Sequence, residues 1–316
     1  MGDEGGLLRQ QERSLVALRE VLQLRRLGSA RIRVEGLDGQ ELAAVGTGDA
    51  DVFIADSLKQ PHNRVFGGQV LAQALMATSL TVREEHEGRL PHSLHSYFMR
   101  PGDDTQPVGF AVERMRDGRS FSTRRAHALQ HGKPILSLTA SFQDPSPGLD
   151  HHAEMPDVPG PETLPALADL FAGIDHPRAQ HLAARPVDHR YVEGDIAFEI
   201  TGAREAAQHV WMRFVGEIDD DPYLRAAALA YMSDYTLLES VLRRHGRTWV
   251  DRSMSVASLD HAMWFHRPAD PGDWLLYDQE SPSAQGGRGL GIGRFFAQDG
   301  TLVATVAQEG MIRVRE

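Results

Sequence analysis

Six polar residues in the second half of the chain are of types that could do chemistry: Asp234, Ser258, Asp260, His261, His266 and Gln308. The carboxylates and imidazoles can carry a proton, and the hydroxyl and amide can orient a neighbour. Gln308 lies within the apolar run Leu302–Met311, where an inward-facing amide demands hydrogen-bond partners. Asp234, set between Ala-Tyr-Met-Ser and Tyr-Thr-Leu-Leu, reads either as a helix cap or as a working acid. Ser258 by itself reads as a strand or loop hydroxyl. The chain has Cys 0, which excludes a cysteine nucleophile, disulfides and thiolate metal sites. No Gly-x-Ser-x-Gly occurs, so the serine nucleophile elbow lacks its signature. Proton transfer by a carboxylate or an imidazole is the chemistry left open. His151 and His152 beside Glu154 are of ligand types, but no second cluster stands at a fixed spacing and they read as solvated linker.

The bodies that must position these residues are bounded by composition. At 316 residues, two units of roughly 150 residues are expected. Apolar residues at 41% and charged residues at 24% suit a soluble globular core. Lys+Arg 33 against Asp+Glu 44 gives a net charge of -11, which argues against a nucleic-acid binder that works by neutralising phosphates. Only Lys59 and Lys133 are lysines, so a phosphate-bearing ligand would be held by arginine or by backbone N–H groups. No apolar run reaches the roughly 20 residues of a membrane span. The start MGDEGGLLRQ lacks a secretory order and the end MIRVRE carries no peroxisomal address, so a cytoplasmic location is expected.

Leu15, Leu18 and Leu22 predict an amphipathic N-terminal helix stopping before Gly28. Eight of the 17 prolines lie between Pro145 and Pro186, which predicts a connection with one short helix at Leu164–Ala172. The bodies on either side repeat one another. Ser93-Leu-His-Ser-Tyr-Phe-Met-Arg-Pro-Gly102, a Gly118-Arg119 turn, strand-like Ser122–Gln130, a His131-Gly132 turn and Pro134–Phe142 form the first copy. His261-Ala-Met-Trp-Phe-His-Arg-Pro268, Trp274–Glu280, a Gly286-Gly287 turn, Leu290–Gln298, an Asp299-Gly300 turn and Thr301–Met311 form the second. The Gly-containing turns between apolar runs are hairpin signals. The same register sets Gly67 opposite Asp234. Gly67–Ala77 is apolar nearly all round, so a sheet must enclose it. Asp220, Asp221 and Pro222 predict the start of the second helical span and Gly246 its end; whether Ser233-Asp234 interrupts it stays open. The fold class is therefore α+β, a tandem (double) hotdog of two curved antiparallel sheets, each wrapped around a central helix. The expected segments are 1-50, a helical extension with the first strands; 51-144, the N-terminal hotdog; 145-186, the Pro-rich linker; and 187-316, the C-terminal hotdog.

At these residues the sequence resembles the acyl-CoA thioesterase II family (TesB-like, double hotdog). The resemblance is carried by Arg64-Val-Phe-Gly-Gly-Gln-Val-Leu-Ala-Gln-Ala-Leu75, Leu94-His-Ser-Tyr-Phe-Met-Arg-Pro-Gly-Asp103 and Gly118-Arg-Ser-Phe-Ser122. His131-Gly-Lys-Pro-Ile135, Ala140-Ser-Phe-Gln143, Ala230-Tyr-Met-Ser-Asp234, Ala257–Pro268 and Val306-Ala-Gln-Glu-Gly310 continue it to the C-terminus. It implies hydrolysis of acyl-CoA to fatty acid and CoA, with no cofactor and no metal. It also implies that an Asp, a Thr or Ser, and a Gln hold the attacking water; the matching positions are Asp234, Ser258 and Gln308. Serine where many relatives carry threonine keeps the hydroxyl but loses a methyl that restrains its rotamer. Gly67 or Gly68, at a helix start, is expected to offer an amide to the carbonyl oxygen. Asp260 rivals Asp234 as the carboxylate, while His261 and His266 are expected to be structural or substrate-wall residues. Ala30–Val52 is longer than the family's usual lead-in and is expected to alter the oligomer surface or the tunnel mouth. A homo-oligomer is expected because an isolated sheet leaves edges exposed. Two other functions compete: a non-catalytic acyl-CoA or acyl-carrier-protein binding module, and an enoyl-CoA hydratase, whose Gly-Asp-x-Asn-Pro-type segment is missing.

Overall fold

The computed structural model describes residues 4–31, 49–171, 174–200 and 202–315. Helix α1 (Glu4–Val21) is followed by strands β1 (Arg25–Arg31) and β2 (Asp49–Ala55) and by helix α2 (Gly67–Arg83). Four strands come next: β3 (Leu90–Phe98), β4 (Val108–Asp117), β5 (Phe121–Gln130) and β6 (Lys133–Gln143). Short helices α3 (Leu167–Phe171) and α4 (Pro177–Ala183) precede β7 (Val187–Tyr191) and β8 (Ala207–Phe214). Helices α5 (Pro222–Ser233) and α6 (Glu239–Arg244) follow, and the chain ends in β9 (Met254–Ser258), β10 (Asp260–Phe265), β11 (Leu275–Gln285), β12 (Arg288–Ala297) and β13 (Leu302–Val314).

Period-two burial makes the strands. β5 alternates without a break from Ser122 to Gln130, with even-numbered residues buried, so one face can line a core while the other meets solvent. Among the described residues, the strands form one antiparallel sheet in the order β1-β2-β4-β5-β6-β3-β10-β13-β12-β11-β8-β7, with β9 also on β13. The first five of the first copy (β2, β4, β5, β6, β3) are mirrored in connectivity by β8, β11, β12, β13 and β10. Two separate sheets were expected, and here the structure differs. β3 and β10 pair in register, Leu94 opposite Met263 and Ser96 opposite His261, so each copy's edge satisfies the other's.

Enclosure makes the central helix. α2 packs on β3, β4, β5 and β6 and buries fourteen of its residues, from Gly68 to Val82. Its two glutamines are satisfied: Gln73 Nε2 donates to the Val21 and Asp56 carbonyls at 2.9 and 2.8 Å, and Gln69 Oε1 accepts from the Leu58 amide at 3.0 Å. The bond to Val21 also fixes the end of α1. Leu15, Leu18 and Leu22 all lie in the core, each contributing about 1.5–3 kcal/mol relative to exposure. α1 stops earlier than its glycine signal suggested. Arg25–Arg31 turns into an edge strand, and Gly28, at φ 139, sits at the irregularity in its pairing with β2. Residues 32–48, most of the long lead-in, lie outside the described residues.

The proline-rich connection is not one short helix. A 3-10 turn at Pro161–Thr163 and α3 replace Leu164–Ala172, and α4 follows unforeseen. α4 starts at Pro177 with His176 as its cap, a residue outside the usual capping set, which hid the signal. Before these helices the connection lies across the outer face of the second half. The Trp211 indole donates to Pro159 O at 2.9 Å and the Trp274 indole to Glu162 at 3.0 Å.

Candidate active site

Asp234 is the C-cap of α5. That helix starts at Asp221, whose carboxylate accepts from the Tyr223 amide, and ends at Ser233, so the chain does turn at Ser233-Asp234 before α6 resumes. The turn can lie against the sheet because glycines face it. A Cβ on Gly291 would stand 2.6 Å from Leu237 O, and one on Gly310 would strike the Leu238 side chain. β13 alternates through this region and sends Gln308 inward, leaving it 1% exposed. Ser258 closes β9 opposite Gly310, one inward-facing position along β13 from Gln308.

These three residues converge. Gln308 Nε2 donates to Asp234 Oδ1 at 2.7 Å and to Ser258 Oγ at 2.7 Å. The Ser258 hydroxyl and the Gly68 amide also hydrogen-bond the Asp234 carboxyl. Burial outweighs those bonds and pushes the Asp234 pKa from 3.8 up to about 6. No side chain caps α2, so its opening amides are left for other partners, and Gly68 spends its own on Asp234. Gly67 is equally close: a Cβ there would stand 2.6 Å from Asp234 Oδ2.

Asp234, Ser258, Gln308 and Gly67 line one cavity of about 790 Å³, together with apolar Val70, Phe98, Leu238 and Met311. The connection supplies more of its wall than the sequence suggested: Leu167, Arg178, Leu182 and Arg185 face it. Nothing in a Pro-rich stretch announces a cavity wall, and only the arginines' charge hinted at a use. Arg185 lies 4.3 Å over the Tyr235 ring, and Tyr235 stacks on Phe66 at 4.8 Å, which fixes the residue preceding α2.

The rival groups are placed elsewhere. Asp260 Oδ1 accepts from the Glu309 amide at 2.6 Å and does not line the cavity. His266 Nε2 is 2.8 Å from Thr305 Oγ1, also away from it. His261 is fully buried behind the cluster, with Nε2 2.9 Å from Ser233 Oγ, and burial lowers its pKa to about 4. Ser233 Oγ already donates to Ala230 O, so the neutral imidazole donates through Nε2. His151, His152 and Glu154 are solvent-exposed. Among the described residues, the one grouping within metal-ligand reach is Glu85, His86 and Asp117, whose carboxylates already pair with Arg114 and Arg124.

One antiparallel sheet packed against helices recurs in known hotdog proteins. A hot dog fold protein from Alicyclobacillus acidocaldarius superposes with a TM-score of 0.70 over 95% of this chain and 99% of its own at 22% identity, a likeness of fold alone. The acyl-CoA thioesterase II TesB2 of Mycobacterium marinum superposes with a TM-score of 0.71 over 95% of this chain and 98% of its own, at 39% identity. The Acyl-CoA thioesterase 2 of Haemophilus influenzae is 39% identical over 84% of this chain and 93% of its own. Family models described as acyl-CoA thioesterase and acyl-CoA thioesterase N-terminal domain match residues 181–311 and 55–143. The chain belongs to the TesB-like acyl-CoA thioesterase family and is a thioester hydrolase.

Proposed function

We propose that this chain, built as a double hotdog, hydrolyses fatty acyl-CoA to free fatty acid and CoA with a water held by Asp234, Ser258 and Gln308. The observation that carries this reading is the bifurcated Gln308 amide, 2.7 Å from both Asp234 and Ser258 at the wall of the cavity. A water that bonds the carboxylate and the hydroxyl has its lone pair aimed and its rotation removed, which lowers the barrier to attack. As water oxygen bonds the thioester carbon, its proton passes to Asp234 and the carbonyl oxygen takes the negative charge. The Gly67 amide, at the uncapped start of α2, is the donor assigned to that oxygen, since Gly68 already serves Asp234. Collapse of the intermediate breaks the carbon–sulfur bond, and the proton on Asp234 goes to the leaving thiolate. The apolar wall of Val70, Phe98, Leu238 and Met311 suits an acyl chain.

Asp234→Asn keeps the shape of the side chain and removes the base. With medium-chain acyl-CoA and a thiol-reactive dye, its turnover is expected to fall about 10²- to 10⁴-fold while acyl-CoA binding persists. Undiminished thiol release in the folded variant overturns the assignment of the base. The same assay separates the other functions, since a binding module releases no CoA and a hydratase consumes enoyl-CoA without releasing thiol.

A further inference from the structure

The cavity that holds Asp234 is lopsided in charge. Arg64, Arg100, Arg178 and Arg185 line it, and none of the four makes an ion pair among the described residues. Three acids, Asp195, Glu239 and Asp234, share the cavity, so the arginines outnumber them, and burial raises the pKa of each acid. Arg64 and Arg178 act on the same neighbour: burial first, then these two guanidiniums, holds His62 below its ordinary 6.5. His181 feels Arg185, His62 and Arg178 after its own burial. Arg64, Arg178 and Arg185 thus share one corner, on a chain whose net charge is -11.

Arg178 is held in place. Arg178 Nη1 donates to Trp249 O at 2.7 Å and its guanidinium lies 5.5 Å over the Trp249 ring, which leaves further N–H groups to spend. The buried Nε of Arg185 has no partner at all. Arginines that lack an ion-pair partner among the described residues and have N–H groups to spare are arranged for an anion with several oxygens.

We propose that Arg64 and Arg178 seat the phosphate groups of the substrate's coenzyme A half, with Arg185 extending the positive strip inward toward Asp234. The proposal rests on the acyl-CoA reading above and adds the part of the substrate that the apolar wall cannot recognise. It also gives the proline-rich connection a role, because Arg178 and Arg185 both come from it.

Calorimetric binding of coenzyme A and of pantetheine, which lacks the nucleotide phosphates, tests it without any hydrolysis. The parent protein is expected to bind coenzyme A more tightly, and Arg64→Gln and Arg178→Gln each to lose roughly tenfold in coenzyme A affinity with pantetheine unchanged. Added salt should erode the parent's coenzyme A affinity more than the variants'. In kinetics, KM for octanoyl-CoA rises at constant kcat, whereas hydrolysis of S-octanoyl-N-acetylcysteamine is unaffected. Arg64 is exposed and unpaired, so its variant decides the matter even if Arg178→Gln, which loses the Trp249 contacts, fails to fold. Equal affinity of the parent for the two ligands overturns the proposal, as do variants that weaken both equally or neither. Failure of the acyl-CoA reading would look different: the parent would release no thiol from octanoyl-CoA.

Discussion

A carboxyl whose pKa burial pushes up to about 6 is mostly ionised at neutral pH yet more basic than an exposed aspartate. With Asp234 as the proposed base, the rate follows the ionised form. The logarithm of kcat/KM is expected to climb with unit slope up to about pH 6 and then level off. Ser258→Ala removes a hydroxyl that steadies the carboxylate, so its inflection should move to higher pH and its plateau should drop, while Ser258→Thr stays close to the parent. A pH–rate series on the three proteins reads this, and an unmoved inflection in Ser258→Ala would sink it. The same shift bears on stability, with its sign reversed from the usual aspartate. The folded state keeps the proton longer than the unfolded chain, so this group destabilises the fold progressively as pH rises from about 4 through 6, by about 3 kcal/mol in full. Gln308 was legible in the sequence because an amide in an apolar strand must find partners. Asp234 and Asp260 were not separable by residue type, since both are carboxylates set among largely apolar neighbours; only the resemblance favoured Asp234. Their positions differ: Asp234 faces the cavity, and Asp260 accepts from the Glu309 amide.

Among elements, the start of α2 tolerates little. A Cβ on Gly68 would collide with Tyr231 O and with the Phe66 ring, and its amide is the one that bonds Asp234. Gly68→Ala is expected to keep a native far-UV circular dichroism spectrum, to lose at least about tenfold in kcat and to titrate at higher pH. Full activity in that variant would show that the amide is dispensable. The strands were readable because period-two burial and Gly-containing turns are local signals. β6 and β12 fall within a residue or two of the apolar runs that announced them. α4 and the reassignment of Arg25–Arg31 were not readable. One helix begins on a histidine cap, and the strand exists because β2 lies beside it, which no local pattern encodes.

For the whole molecule, the seam between β3 and β10 presents Tyr97, 65% exposed, and Trp264, 37% exposed, with His95 edge-on to Trp264 at 5.3 Å. Aromatic area of this kind on the outer face of a sheet is suited to covering by a second copy. Sedimentation is expected to show a mass above the 34.9 kDa of one chain, with Tyr97→Asp and Trp264→Asp together shifting it toward the monomer. A parent that sediments as a single chain would dismiss that use of the seam. The doubled pattern itself could be read from the recurring Arg-Pro and glycine turns, but the merging of both copies into one sheet could not, because edge pairing leaves no trace in either strand's own composition. The double-hotdog reading also accounts for a single proposed acid. The sequence register sets Gly67 opposite Asp234, and a Cβ on Gly67 would stand 2.6 Å from Asp234 Oδ2. An aspartate at both would set carboxylates against each other with no room for either side chain. Two identical chains related by symmetry cannot carry glycine at one such position and aspartate at the other. Joining the copies covalently is what allows the pair to diverge, one becoming the reactive group and the other the space that admits it.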